Sequence, residues 1–311
     1  MTAGPLAPRP GAELVVVSYT RLAALETTLR AVRRLYPDLP VCVGLQGPAP
    51  EGVFAAWLDE ERRRSGLLRL ERFAEPSITR SLNHCVRSSA AEIVLLLDDD
   101  ARPCLGWLEA HLRALAADPD LAYTSGREVR LHVARPALSE LARITVESMY
   151  GLLLPAEYKL RGRIVGWFSR TGLMFGNFDL PGTCLINSPR GCNMGLRRAA
   201  FVEAGGFDDA FAGNAWGFEA DFGLRLAAVG RLGRYLGDAV VLHEEEAAGG
   251  SRQVRGWAWL HDFLRNHRLL MRTLGPQAWV GSAPRLLART LQIALSAAVR
   301  PGGGARRAVP R

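Results

Sequence analysis

Three consecutive acids, Asp98, Asp99 and Asp100, follow without a break on the apolar run Ile93 to Leu97. Carboxylates so close together repel one another. A divalent, oxygen-seeking cation such as Mn2+ or Mg2+ removes that repulsion and leaves positions free for the oxygens of a diphosphate. A short, uninterrupted apolar run reads as a strand buried on both faces, which puts the acids at its carboxyl end. In an open α/β sheet that end is where ligands collect. A solvated acidic loop behind a core strand would show the same residues, so the rest of the chain has to decide.

Two further acids, Glu219 and Asp221, lie where a helix is expected to begin near Gly217. The helix dipole favours negative charge there, so helix-start chemistry alone accounts for them and a proton-accepting role is the alternative. His243 closes the short apolar run Ala239 to Leu242 and is followed by three glutamates. It reads either as a metal ligand or as an ordinary histidine after a strand.

These groups need a scaffold, and the chain spells one out. Strands are expected at Leu14 to Val17, Val41 to Leu45 and Leu67 to Phe73, ahead of the acidic strand. Between them lie helical stretches at Leu22 to Leu35, Phe54 to Arg64 and Ser77 to Ser88, punctuated by Pro37, Pro40 and Pro48. Strands alternating with helices at this spacing predict an α/β fold with a mostly parallel sheet and right-handed crossovers. Beyond the acids, Pro103 and Trp107 open a helix through Leu115, and Leu121 to Val133 reads as strand and loop. The segment from Leu138 to Gly182 turns from helical to Gly-rich and resembles a mobile loop, a common home for acceptor contacts. Residues 1–11 and 301–311 read as disordered tails, 12–250 as the catalytic domain and 251–300 as a helical extension.

Composition narrows the function classes. The 311 residues are 48% hydrophobic, enough for a full core, and the net charge of +8 comes almost entirely from arginine, since Lys159 is the sole lysine. No lysine-rich patch or nucleic-acid motif singles out nucleic acid as the partner. Five cysteines without CxxC spacing argue against a disulfide framework or structural zinc and fit a reducing cytosol. No signal peptide and no membrane span are indicated. Residues 284–300, with leucines set against Arg285 and Arg289, could lie on an anionic bilayer at its cytoplasmic face or pack on the core.

In this order and spacing the pieces resemble a bacterial, inverting family 2 glycosyltransferase of the GT-A fold, from about Glu13 to His243. Val15 to Arg21 resembles the family's first strand and nucleoside loop, and Asp98 to Asp100 with Pro103 resembles its DxD motif. The block Gly191, Cys192, Asn193, Met194 resembles the acceptor-side strand, and Trp216 to Arg225 the catalytic helix. The resemblance implies a donor set of Ser18, Tyr19, Thr20, Arg21, Gln46, Arg80, Asn83, Asp98 and Asp99. It implies metal ligation by Asp100, Asp98 and His243, and acceptor contacts at Asn193, Trp216 and Gly217. Counting back six residues from Arg225 makes Glu219 the base, with Asp221 as the fallback; aligning on Trp216 and Gly217 would instead reach Ala220, which cannot accept a proton.

Two departures stand out. Gln46 occupies the place of an aspartate that usually reads the nucleotide base, and Arg252 to Trp257 only approximates the QxxRW motif of the polymerising members. Arg252 and Arg255 nonetheless have the guanidinium forks that suit a diphosphate. The implied reaction moves a sugar from a nucleotide-sugar donor to a hydroxyl of a glycan, lipid-linked, natural-product or protein acceptor. A nucleotidyltransferase would also place a metal and nucleotide at a sheet edge, but no Gly-rich phosphate loop with a lysine follows the first strand. A non-catalytic nucleotide- or carbohydrate-binding protein would have no need of the acids and His243 together.

Overall fold

The computed structural model describes residues 11–130, 137–244 and 256–299. Arg252 and Arg255 lie outside them, as do the two tails except Gly11. The first half of the chain is the expected alternation. Strands β1 (Ala12–Tyr19), β2 (Val41–Gln46), β3 (Leu68–Phe73) and β4 (Ile93–Asp98) alternate with helices α1 (Leu22–Leu35), α2 (Gly52–Ser65) and α3 (Ile78–Ser88). They pair in parallel in the order β3, β2, β1, β4. The second half adds β5 (Ala101–Pro103), α4 (Trp107–Ala117), β6 (Tyr123–Arg130), β11 (Thr183–Ile186), β12 (Asn193–Arg197) and β13 (Gly233–His243). Here the sheet turns mixed: β12 runs antiparallel to both β4 and β6, while β13 is parallel to β6.

The apolar run of β4 is continuous because both of its faces are covered. Val94 and Leu96 point into a core with α3 and the short helix α6 (Arg198–Glu203), whereas Ile93, Leu95 and Leu97 point into a second core with α1, α2 and α4. A polar residue at any of these five positions would have to be stripped of water without a partner.

The stretch expected as a loop is more ordered than its composition suggests. After α5 (Ala137–Gly151) it folds into two small antiparallel pairs, β7 (Lys159–Leu160) with β8 (Arg163–Ile164) and β9 (Trp167–Phe168) with β10 (Met174–Phe175). Buried Glu147 of α5 anchors this region by accepting from Arg163, Asn177 and the Ile164 amide. The strand expected at Ala239 to Leu242 is also longer. A register shift between Leu236 and Val240 lets it pass Gly237 and Asp238, the residues that hide its first half in the sequence.

The C-terminal helices pack on the rest of the chain. Helix α7 (Phe218–Ala228) packs against α8 (Gly256–Leu274), whose fully buried Asn266 bonds both backbone groups of Ala212. Helix α9 (Ala278–Val299) docks through Gly281, whose amide bonds the Thr171 carbonyl at 2.7 Å; a Cβ there would lie 2.3 Å from that oxygen. Leu287 and Leu291 of α9 are exposed. Among the described residues, no helix is long and apolar enough to cross a membrane.

Candidate active site

Because β1, β2 and β4 are parallel and in register, they deliver their last residues to one place. Tyr19 pairs with Gln46, and Val17 with Asp98, so the ends of three strands open together into a cleft of about 510 Å³. Tyr19, Arg21, Gln46 and Asp98 line this side. The opposite wall comes from the second half of the chain: Pro189 to Gly191, the loop through Trp216 and Gly217, and Glu219 at the start of α7.

The three acids take different environments. Asp99 is buried, accepting from Ser18 Oγ at 2.6 Å, with the Arg21 guanidinium 3.2 Å away. Burial pushes its acid up to about 7. Asp100, also buried, is bonded by Arg21 at 2.5 Å through Oδ2 and by His243 Nε2 at 3.0 Å through Oδ1. Asp98 is the most open, its side chain 43% exposed, with Oδ2 4.0 Å from the same His243 nitrogen. His243 arrives from the far end of the chain because β13 pairs with β5, setting His243 opposite Ala101.

One ligand atom each from Asp98, Asp100 and His243 fall within 4.8 Å of one another. Around an octahedral ion with bonds of about 2.1 Å, adjacent ligands lie about 3 Å apart, so the residues fit a small divalent cation. Two carboxylates with an imidazole suit Mn2+ better than Mg2+, which prefers oxygen alone. Burial opposes charge on the His243 ring, yet bonds to Asp100, Cys192 and Glu128 raise its pKa, so the spot favours positive charge.

Glu128, which the sequence did not single out, borders this cluster. Its Oε1 lies 2.6 Å from His243 Nδ1, fixing the ring so that Nε2 faces the acids. Arg130 and Arg190 hold Glu128 in turn at 2.8 Å each. Burial would raise its pKa, but the bond from His243 and the charge of Arg190 lower it overall. The available signal was an acid on β6 flanked by Arg127 and Arg130, which gains meaning once β13 pairs alongside and sets Val241 opposite Glu128.

Glu219 is half-buried on the cleft wall, where its Oε1 accepts the Gly191 amide at 3.2 Å. Burial, the largest influence, pushes its pKa up to about 7 against the opposing pull of backbone hydrogen bonds and Arg190. Gly191 makes room for it: a Cβ there would meet Oε1 at 2.9 Å. Trp216 lines the cleft while packing against Phe263 and His267 of α8 at 4.8 and 5.5 Å. The loop carrying it is tightly turned, with Ala215 at φ +45° and Gly217 at φ +91°.

Several expected site residues are bonded within the scaffold or lie off the cleft. Asn193, expected at the acceptor, is fully buried and bonds Trp107, His111 and the carbonyls of Arg127 and Ala239. Asn83 likewise bonds the Phe207 backbone and Asp209. Asp221 is buried against Arg225 and Thr273 at 2.8 and 2.5 Å and does not line the cleft, whereas Glu219 does. Ser18 is committed to Asp99, and neither Thr20, at φ +63° after β1, nor exposed Arg80 lines the cleft.

No protein-family model matches the sequence, and no curated protein matches it by sequence. Solved structures do match by fold. A mannosyltransferase from Pyrobaculum calidifontis, in complex with GDP-Man and Mn2+, superposes with a TM-score of 0.54 at 20% identity, over 94% of this chain and 76% of its own. GalNAc-T7 with UDP, GalNAc and Mn2+ superposes with a TM-score of 0.58 at 11% identity, over 84% of this chain and 48% of its own. The fold is therefore the expected α/β GT-A arrangement.

Proposed function

We propose that the protein is a metal-dependent glycosyltransferase that moves a sugar from a nucleoside-diphosphate donor to an acceptor hydroxyl with inversion at the anomeric carbon. The observation that carries this reading is the convergence of Asp98, Asp100 and His243 beside a cleft that also holds Glu219, a carboxylate with a pKa raised to about 7. Both neighbours by fold bind nucleotides together with Mn2+, which agrees with it.

Asp98, Asp100 and His243 hold the cation, Glu128 keeps the imidazole turned toward it, and Arg21 holds the buried acids in place. When bound, Mn2+ offsets the charge that builds on the leaving diphosphate. Asp98, exposed to the cleft, is also placed for the ribose. Tyr19 and Gln46 offer a ring face and a neutral amide to the nucleoside, and the amide can both donate and accept. Glu219 takes the acceptor proton as the new bond forms, ordinarily a factor of about 10² to 10⁴ in rate. A base beside the acceptor, rather than a carboxylate nucleophile, makes the reaction a single displacement with inversion.

The test is incubation with a panel of nucleotide sugars, with and without Mn2+. Metal-dependent release of nucleoside diphosphate supports the reading. Release of pyrophosphate instead, or of nothing from any donor, overturns it.

A further inference from the structure

The wall of the cleft that carries Glu219 continues onto an exposed apolar ledge. Gly191, which bonds Glu219, follows directly on Ser188 to Arg190; the Ser188 amide bonds the Gly166 carbonyl at 2.9 Å, and the Gly166 amide bonds Gly176 at 2.9 Å. Met174, Phe175 and Gly176 line the same cleft, so the β9–β10 pair is built into the Glu219 wall. The Phe175 ring stacks on Tyr150 at 5.2 Å, and Tyr150 lies in the last turn of α5, close in sequence to Met149, Leu152 and Leu153, which are 67%, 87% and 79% exposed. No charged residue interrupts the run from Ser148 to Ala156.

Scattered exposed apolar residues are ordinary, but a run of them joined by stacked rings to a ligand cleft marks a binding surface. The occupant follows from the position of the base. An acceptor whose hydroxyl reaches Glu219 extends outward along this wall, since the charged diphosphate belongs with Asp98 and the strand ends. Resting on the glycosyltransferase reading, we propose that the acceptor is amphiphilic, a hydroxyl-bearing head on a hydrocarbon body that lies over Phe175, Tyr150, Met149, Leu152 and Leu153.

The test uses the full chain with Mn2+ and an active donor, and acceptors sharing one sugar head: the free sugar, a phenyl glycoside, and alkyl glycosides of increasing chain length kept below their micelle concentrations. A fully buried methylene is worth about fourfold in affinity, so kcat/KM should climb with chain length and then level off once the ledge is covered. The exposed triple variant Met149→Ser/Leu152→Ser/Leu153→Ser should lose about tenfold on long alkyl acceptors and little on the free sugar, with acceptor-free donor hydrolysis unchanged. Calorimetric titration of alkyl glycoside should show the same loss in binding. A flat response to chain length, a preference for the free sugar, or equal losses on all acceptors would overturn the proposal while donor hydrolysis persists. A phenyl acceptor outperforming every alkyl chain would overturn the hydrocarbon assignment. Absence of nucleoside diphosphate release with every donor and every acceptor would instead remove the transferase reading on which the proposal stands.

Discussion

Replacing Glu219 by glutamine should make the protein more stable and much less active, and the gain in stability should depend on pH. In the native protein the acid titrates at about 7 rather than the ordinary 4.5, chiefly because burial disfavours the charged form. A carboxyl whose folded pKa is raised holds its proton more tightly in the native state. Its penalty is therefore absent below about 4.5, grows as pH rises between 4.5 and 7, and is complete above 7. A shift of that size corresponds to at most roughly 3 kcal/mol at pH 8, and less after discounting for the part of the side chain that meets water.

Glutamine keeps an oxygen to accept the Gly191 amide and carries no charge, so it removes the penalty without breaking the bond. Thermal melts at pH 8 should rise by roughly 2–6 °C relative to the native protein, and the difference should vanish near pH 4.5. In parallel, kcat should fall by about 10² to 10⁴, and the native kcat/KM should rise with pH up to about 7 and then level. An equal change in melting temperature at both pH values, or a variant that turns over normally, would refute the reasoning.

Glu128→Gln should weaken Mn2+ binding by about 10- to 100-fold, read by calorimetry, because the His243 ring loses the carboxylate that orients it. Asn193→Ala should destabilise the fold by several kcal/mol, since Trp107 and His111 lose a buried partner, while Mn2+ affinity measured on the folded fraction stays close to native. Asp221→Asn should cost roughly 1–3 kcal/mol in denaturant unfolding by weakening the ties to Arg225 and Thr273, yet retain turnover within about tenfold, in contrast to Glu219→Gln.

The parallel half of the sheet was legible because β1, β2 and β4 carry apolar runs bounded by turn residues, as at Val41 to Gln46 before Gly47 and Pro48, and β3 alternates Leu68 and Leu70 with charged residues. The acids of β4 and the start of α7 were legible for a related reason: charge directly after a buried strand, or at a helix start, has few places to go. What the sequence did not disclose are the partners of polar residues when those partners lie far along the chain. Asn193 looks the same in a string of letters whether it meets a sugar or the Arg127 and Ala239 carbonyls, and only the pairing of β12 with β4 and β6 decides. Glu128 meets a histidine 115 positions away. The small strands after α5 were hidden because two-residue pairs have no periodicity to detect; their order comes from Glu147 and Asn177, not from an apolar pattern.

The central claim is that the acids closing β4, together with His243, hold a divalent cation and a diphosphate in the cleft that Glu219 shares. A crystal structure with Mn2+ and a nucleoside diphosphate tests it directly. The account predicts metal density bonded to Asp98, Asp100 and His243, with phosphate oxygens completing its shell and the nucleoside toward Tyr19 and Gln46. Metal bound away from these three side chains, or a nucleotide seated outside this cleft, would contradict it.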